Sequence, residues 1–239
     1  MNIALIFAGG TGQRMKTASS PKQFLEVHGK PIIVYTLEKF SVHEQIDAIV
    51  VVCVSSHIDH LLSLIRKFNI QKVVRIVPGG ASGQESIYEG LKAIQETYQN
   101  DSIVLIHDGV RPFIDADVIT RNIETARTLG NAITVTPSIE TIVIKNDQQQ
   151  IERVVDRSVS YHAKAPQTFV LGDIMQVHNK ARIEGYDKAI DSASLMAHYG
   201  HDLHIVEGNM SNIKITTPQD FYFMRALIDI EENKQLELL

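Results

Sequence analysis

Along the chain, short continuous apolar runs alternate with longer segments of helical rhythm. The runs at 3–7, 48–54, 73–77, 103–106, 132–136 and 203–206 have strand length, and several lack the in–out alternation of a sheet wetted on one side. Segments of helix length lie among them at 31–40, 56–68, 86–98 and 115–129, and the same rhythm returns at 172–184, 192–199 and 218–232. Repeated strand–helix–strand order predicts an α/β fold, with a mainly parallel sheet covered by helices on both faces. Ligands of such folds sit beyond the carboxyl ends of the strands, where 8–14, 79–86 and 108–111 fall. From 139 the rhythm changes: 140–145 reads as a strand, 146–150 as a polar turn and 151–160 as a second strand. That hairpin excursion carries Thr141, Arg153 and Arg157. Thr217 is placed to cap the last helix with Pro218 as its first residue, and the polar tail 231–239 is expected to fray.

The first strand runs into Ala8-Gly9-Gly10-Thr11-Gly12, where three glycines in four positions let the backbone turn sharply and approach a ligand closely. Backbone N–H groups freed in such a turn form an anion-binding concavity, and Arg14 and Lys22 add two cations nearby. The stretch is either a plain turn or a phosphate cradle. It follows neither regular pattern: Arg14 stands where a dinucleotide fingerprint needs its last glycine, and no P-loop lysine motif is present.

With 239 residues, 44% apolar and 21% charged, the chain has the composition of one globular domain with a substantial core. Its net charge of −5 excludes a protein built to coat nucleic acid or an anionic membrane. No apolar run approaches a membrane span and the start lacks a secretory signal, so the expected location is the cytoplasm. The single cysteine, Cys53, lies in an apolar run and is expected to be a buried small residue.

Three further stretches carry polar residues at strand ends. Asp108 follows the run 103–106 and is placed either to hold Mg²⁺, a hard ion that takes carboxylates and substrate phosphates, or to cap a turn and pair with Arg111. His107 beside it fits a hydrogen-bonded structural histidine better than a general base. Gly79-Gly80-Ala81-Ser82-Gly83-Gln84-Glu85-Ser86 opens a helix and is either a rest for a base or ribose or an ordinary turn. Lys214, on a strand-like stretch before the last helix, has solvent as its commonest environment. The histidines show no zinc spacing, and no nucleophile motif occurs.

Taken in order, Ala8-Gly9-Gly10-x-Gly12-x-Arg14-Met15, Pro21-Lys22-Gln23-Phe24, Gly79-Gly80, Ser86, His107-Asp108-x-Val110-Arg111-Pro112-Phe113, Ala165-Pro166-Gln167-x-Phe169, Glu207-Gly208 and Asn212-Ile213-Lys214-Ile215-Thr216-Thr217-Pro218-x-Asp220 span nearly the whole chain. This order resembles the cytidylyltransferases that act on alditol phosphates, whose two branches use 2-C-methyl-D-erythritol 4-phosphate and ribitol 5-phosphate. The resemblance implies a Rossmann-like three-layer sandwich, a single nucleotidyltransferase domain over 1–239, and 139–165 as a protruding β-hairpin dimerisation arm. It implies that CTP and an alditol phosphate give a CDP-alditol and pyrophosphate with Mg²⁺. By the same resemblance, Arg14, Lys22 and Lys214 are the catalytic cations. Ala8, Gly9, Gly10, Thr11, Gly12, Gly79, Gly80, Ser86, Asp108 and Gly109 hold the nucleotide, and Asp108 is the metal ligand. Arg111, Thr141 and Arg157 serve the acceptor, the last two across the interface of a homodimer.

An in-line displacement by an anionic phosphate needs positioning and cations rather than a strong base, which suits a chain with no evident nucleophile. Gly83 stands where many members carry an arginine, Ala165 replaces a threonine, and Ile190-Asp191-Ser192 replaces a Thr-Asp opening near the acceptor pocket. The step from Arg14 to Lys22 and Val110 look like the ribitol branch, whereas Asp156-Arg157-Ser158 look like the methylerythritol branch. The reading favours ribitol 5-phosphate or a related polyol phosphate. Methylerythritol phosphate, a sugar-1-phosphate nucleotidylyltransferase and a non-catalytic nucleotide-binding regulator are the alternatives.

Overall fold

The structure is a computed structural model that describes residues 1–10 and 21–236. In chain order the strands are β1 (Asn2–Ala8), β2 (Glu26–Val27), β3 (Lys30–Pro31), β4 (Ala48–Cys53), β5 (Val73–Pro78), β6 (Ile103–Asp108), β7 (Asn131–Pro137), β8 (Val143–Lys145), β9 (Ile151–Val154), β10 (Tyr161–Val170) and β11 (Ile205–Glu207). The α-helices are α1 (Ile32–Val42), α2 (Ile58–Lys67), α3 (Gly83–Gln95), α4 (Ala116–Leu129), α5 (Leu171–Glu184), α6 (Ser192–His198) and α7 (Pro218–Leu236).

Seven strands form the main sheet in the order β11-β7-β10-β6-β1-β4-β5. All neighbouring pairs are parallel except those of β10, which runs antiparallel to both β6 and β7. The continuous apolar runs have the expected cause: both faces of the sheet are covered. On β1, Ala4, Ile6 and Ala8 join a core with α1, α2 and α4, whereas Ile3 and Leu5 join another with α3, α5 and α6. The same alternation sends Ile49 and Val51 of β4 to the first face and Val50 and Val52 to the second. Three layers result. Cys53 is buried in the first core, and burial pushes its thiol up to about 11.

A third, smaller core joins α7 to the β2–β3 hairpin and to the loop after β6, through Val27, Val110, Phe113, Ile215 and Met224. It seats the last helix against the carboxyl edge of the sheet. Among the described residues, no helix is long and apolar enough to cross a membrane.

Two readings of the pattern needed correction. Residues 161–170, which the pattern left without an element, form β10, a strand inside the main sheet; its register shifts between Ala163 and Gln167, around the proline. Proline has no N–H for the ladder and is found in sheets at such irregularities, which is why the strand was hidden in the pattern. The excursion after Ile139 does form a two-stranded sheet, but β8 and β9 are shorter than the pattern predicts, and Arg157–Val159 is a 3-10 turn.

Candidate active site

Register sets the site. Phe7 of β1 pairs with Val52 of β4 and with Asp108 of β6, so the three strands end level with one another. The turns after them therefore share one edge, and two hydrogen bonds tie them: Gly79 N–H donates to Cys53 O at 2.9 Å, and Gly109 N–H to Phe7 O at 2.8 Å. Ser86 of α3 fills the space between two glycine turns. Its buried hydroxyl accepts from Gly80 N–H at 3.0 Å and donates to Ser82 O at 2.8 Å. A Cβ on Gly79 would lie 3.0 Å from that oxygen, and one on Gly9 would lie 3.2 Å from the Phe7 ring. Close backbone approach, rather than conformational freedom, is what those glycines supply.

The segment after the first glycine turn is bolted back onto it. Gln23, 1% exposed, donates through Nε2 to Ala8 O at 2.7 Å and to Gly10 O at 3.3 Å. Next to it, Lys22 extends its ammonium to Ile215 O at 2.9 Å. Asp220 accepts from the N–H groups of Thr216 and Thr217 at the start of α7. Burial pushes its carboxyl up, but these bonds and the nearby charge of Lys22 outweigh it and hold it below its ordinary value.

Asp108 is the electrostatic centre. Arg111 Nε reaches its Oδ2 at 2.8 Å and Lys214 Nζ its Oδ1 at 2.6 Å. Burial pushes this carboxyl up, yet Lys214 and Arg111 prevail and hold it down to about 2, so it is ionised at neutral pH. Arg111 also donates to Asn212 O at 3.0 Å, and Asn212 Nδ2 donates to Ala165 O on β10 at 2.8 Å. Of the two readings of Asp108, the pairing with Arg111 is present, in a turn closed by Arg111 N–H on Asp108 O, and Lys214 stands on its other oxygen. His107 is buried, its Nε2 donates to Arg111 O at 3.0 Å, and burial lowers it to about 4. Its position is that of a structural histidine.

Lys22 and Lys214, 192 positions apart in the chain by their numbers, are thus brought to one edge, with Ala8, Gly9, Gly10, Gly79, Gly80, Ser86, Asp108, Gly109 and Arg111. Thr11, Gly12 and Arg14 lie outside the described residues. Thr141 and Arg157 are exposed on the excursion, where Arg157 Nη1 reaches Ile139 O, and among the described residues neither lines the cavity beside Asp108.

The family profile described as "IspD: 2-C-methyl-D-erythritol 4-phosphate cytidylyltransferase" matches residues 2–229. The chain belongs to this family. A protein named ribitol-5-phosphate cytidylyltransferase from Vibrio parahaemolyticus is 54% identical over 236 residues, covering 99% of each chain. A protein named 2-C-methyl-D-erythritol 4-phosphate cytidylyltransferase from Clostridium botulinum is 39% identical over 228 residues, covering 95% of this chain and 97% of that one. Among solved structures, 4-diphosphocytidyl-2C-methyl-D-erythritol synthase from Anaerococcus prevotii superposes with a TM-score of 0.82 at 29% identity, covering 95% of this chain and 96% of that one.

Within this cytidylyltransferase edge, three residues were given no role from the sequence. Gln23 was quoted only as part of a motif; a glutamine beside a glycine turn is a weak signal until the carbonyls it reaches are placed. Asn212 links the Lys214 segment to β10 in the same way. Lys164, on β10, lines the cavity near Arg111, and burial first and then the Arg111 charge lower its pKa. Missing β10 meant missing Lys164.

Proposed function

We propose that this member of the family is a Mg²⁺-dependent CTP:ribitol-5-phosphate cytidylyltransferase. A phosphate oxygen of the acceptor attacks the α-phosphorus of CTP, the bond to the bridging oxygen breaks, and pyrophosphate leaves with that oxygen. The observation that carries the chemistry is the convergence of Lys22, Lys214 and Arg111 around the glycine edge with Asp108. Two anions must be brought into contact, and fixed cations in a partly dry site lower that repulsion most effectively. The higher identity to the ribitol-phosphate relative, 54% against 39%, supports the acceptor.

In this reading the glycine turns after β1 and β5 hold the triphosphate and cytidine by backbone groups. Lys22 and Lys214 approach from opposite sides of the edge, with Arg14 as a third cation from the first turn. Arg111 steers the acceptor phosphate. Asp108 fits Mg²⁺ as one protein ligand: it is ionised, and each oxygen already paired once keeps a second lone pair. The ion, when bound, supplies further neutralisation of the triphosphate. Thr141 and Arg157 reach the acceptor from a second copy of the chain, whose arm carries exposed Ile139, Ile151, Val154 and Val159 as apolar contact surface. The enzyme works in the cytoplasm, where CTP is made available.

The test is pyrophosphate release from CTP with ribitol 5-phosphate, methylerythritol 4-phosphate, arabinitol phosphate and mannitol phosphate in turn. Ribitol 5-phosphate is expected to give the highest kcat/KM. No release with any of them overturns the proposal; faster release with methylerythritol 4-phosphate moves the chain to the other branch.

A further inference from the structure

Among the described residues, five buried side-chain atoms lack a hydrogen-bond partner, and three of them belong to side chains around one cavity on the α3–α5–α6 face of the sheet: Gln84 Oε1, His178 Nε2 and Ser192 Oγ. His178 and Ser192 are each 2% exposed. Orphaned polar groups at that depth are rare in native proteins and call for a partner. The cavity, about 220 Å³, is lined on one side by Asp108, Arg111, Lys164 and Lys214, so the cations and these polar groups face the same space.

Two of the unpaired atoms can accept a hydrogen bond. Gln84 Nε2 donates to Tyr186 O at 2.9 Å, which turns Oε1 out as a bare acceptor. Ser192 Oγ both donates and accepts. The neighbouring Gln167 and Asp191 are already committed, to each other at 2.8 Å and to backbone N–H groups of α6. Phe7, Ile87 and Ile106 supply apolar lining between these polar points. Lone pairs set into an apolar wall suit a carbon chain bearing O–H groups. An anionic tail would face lone pairs, and a hydrocarbon tail would leave them unpaired.

We propose that Gln84, His178 and Ser192 form the polyol-recognition wall of the acceptor site, reading the hydroxyls of the acceptor's chain while its phosphate stays with the cations. This inference rests on the acceptor reading above and adds residues that select the acceptor by its hydroxyls. Ile190, at the rim, is the position where a threonine is replaced in this chain, so the hydroxyl contacts are moved inward to Ser192.

The test uses the full chain with saturating CTP, and the acceptors ribitol 5-phosphate and glycerol 3-phosphate, which has fewer hydroxyls. Ser192→Ala and Gln84→Met are each expected to raise KM for ribitol 5-phosphate roughly tenfold per lost hydrogen bond, with kcat and the KM for CTP little changed. The preference for ribitol 5-phosphate over glycerol 3-phosphate should fall by the same factor. His178→Phe is expected to act likewise and is checked by thermal melting; if it does not fold, Ser192→Ala, which removes a single oxygen, carries the test. A merely structural role would lower the melting temperature and affect both acceptors equally, which overturns the inference. Unchanged KM and preference in folded Ser192→Ala and Gln84→Met also overturn it, while wild-type turnover of ribitol 5-phosphate leaves the acceptor reading standing. Absence of wild-type turnover overturns both.

Discussion

The two halves of the sheet are built differently. On one side β5, β4, β1 and β6 run parallel, joined through helices, and their level carboxyl ends carry the glycine turns and Asp108. On the other, β7 and β11 are separated from that set by the antiparallel β10, which delivers Lys164, Ala165 and Gln167 to the cavity beside Asp108 and follows directly on the exposed arm. The parallel half is suited to a nucleotide because its strand ends must coincide. The half interrupted by β10 brings Lys164, Ala165 and the arm to that edge from the other side, so the proposed acceptor contacts draw on both halves.

Breaking the cation edge should have the largest effect. Lys214→Ala is expected to reduce kcat about 10²- to 10³-fold, as for the loss of one preorganised charge-stabilising group, with melting unchanged because Asp108 keeps Arg111. Steady-state pyrophosphate release measures the first and a thermal scan the second.

On the acceptor half, Arg157→Ala should raise the acceptor KM while leaving the KM for CTP in place. If the arm serves a neighbour's site, mixing it with Lys214→Ala chains should give, at low acceptor concentration, more activity than either variant alone, since a mixed dimer would contain one intact site. No recovery after unfolding and refolding together would place Arg157 outside the neighbour's site.

The half that carries β10 holds a buried polar network. Asn122, fully buried, donates to Thr134 Oγ1 at 3.0 Å and accepts from Thr168 Oγ1 at 3.1 Å, tying α4 to β7 and β10. Asn122→Ala strands the Thr168 hydroxyl, while Thr134 Oγ1 keeps Pro166 O at 2.7 Å, and is expected to cost about 1–3 kcal/mol, a fall of roughly 2–4 °C in Tm for each kcal/mol. Calorimetry checks it, and an unchanged Tm would mean that this network adds nothing to the packing of α4 on β7 and β10.

The smallest effect is a pH slope. Burial first, and then Arg182, push His178 from its ordinary 6.5 to about 4. Its folded pKa is depressed, so between those values the unfolded chain binds the proton and the folded one does not. Stability from this group is full above pH 6.5 and declines as pH falls toward 4. Tm should drop between pH 7 and pH 5, and His178→Phe should flatten part of that drop; an equal slope in the variant would assign it to other groups.

The parallel half was legible because burial on both faces writes itself as unbroken apolar runs, and because helices of ordinary length separate them. Pro166 concealed β10, since a proline argues against a strand when the register irregularity that accommodates it is invisible. At the site, Asp108 and Lys22 sat in dense motifs, but nothing short of the fold says that Lys22 meets the carbonyl of Ile215 or that Gln23 clasps Ala8 and Gly10. Such contacts join segments far apart in sequence, and local pattern carries no record of them. Gln84, His178 and Ser192 were silent for the same reason: each is an ordinary helix residue until its neighbours leave it unpaired.

The central claim is that cations remote in sequence act together on one reacting phosphate. A double-mutant cycle on kcat/KM with Lys22→Ala and Lys214→Ala, using CTP and ribitol 5-phosphate, tests it most directly. The account predicts strong non-additivity, with the double variant little worse than the poorer single one. Losses that simply add would mean that the two lysines act on separate sites, and the shared edge would not be the catalytic centre.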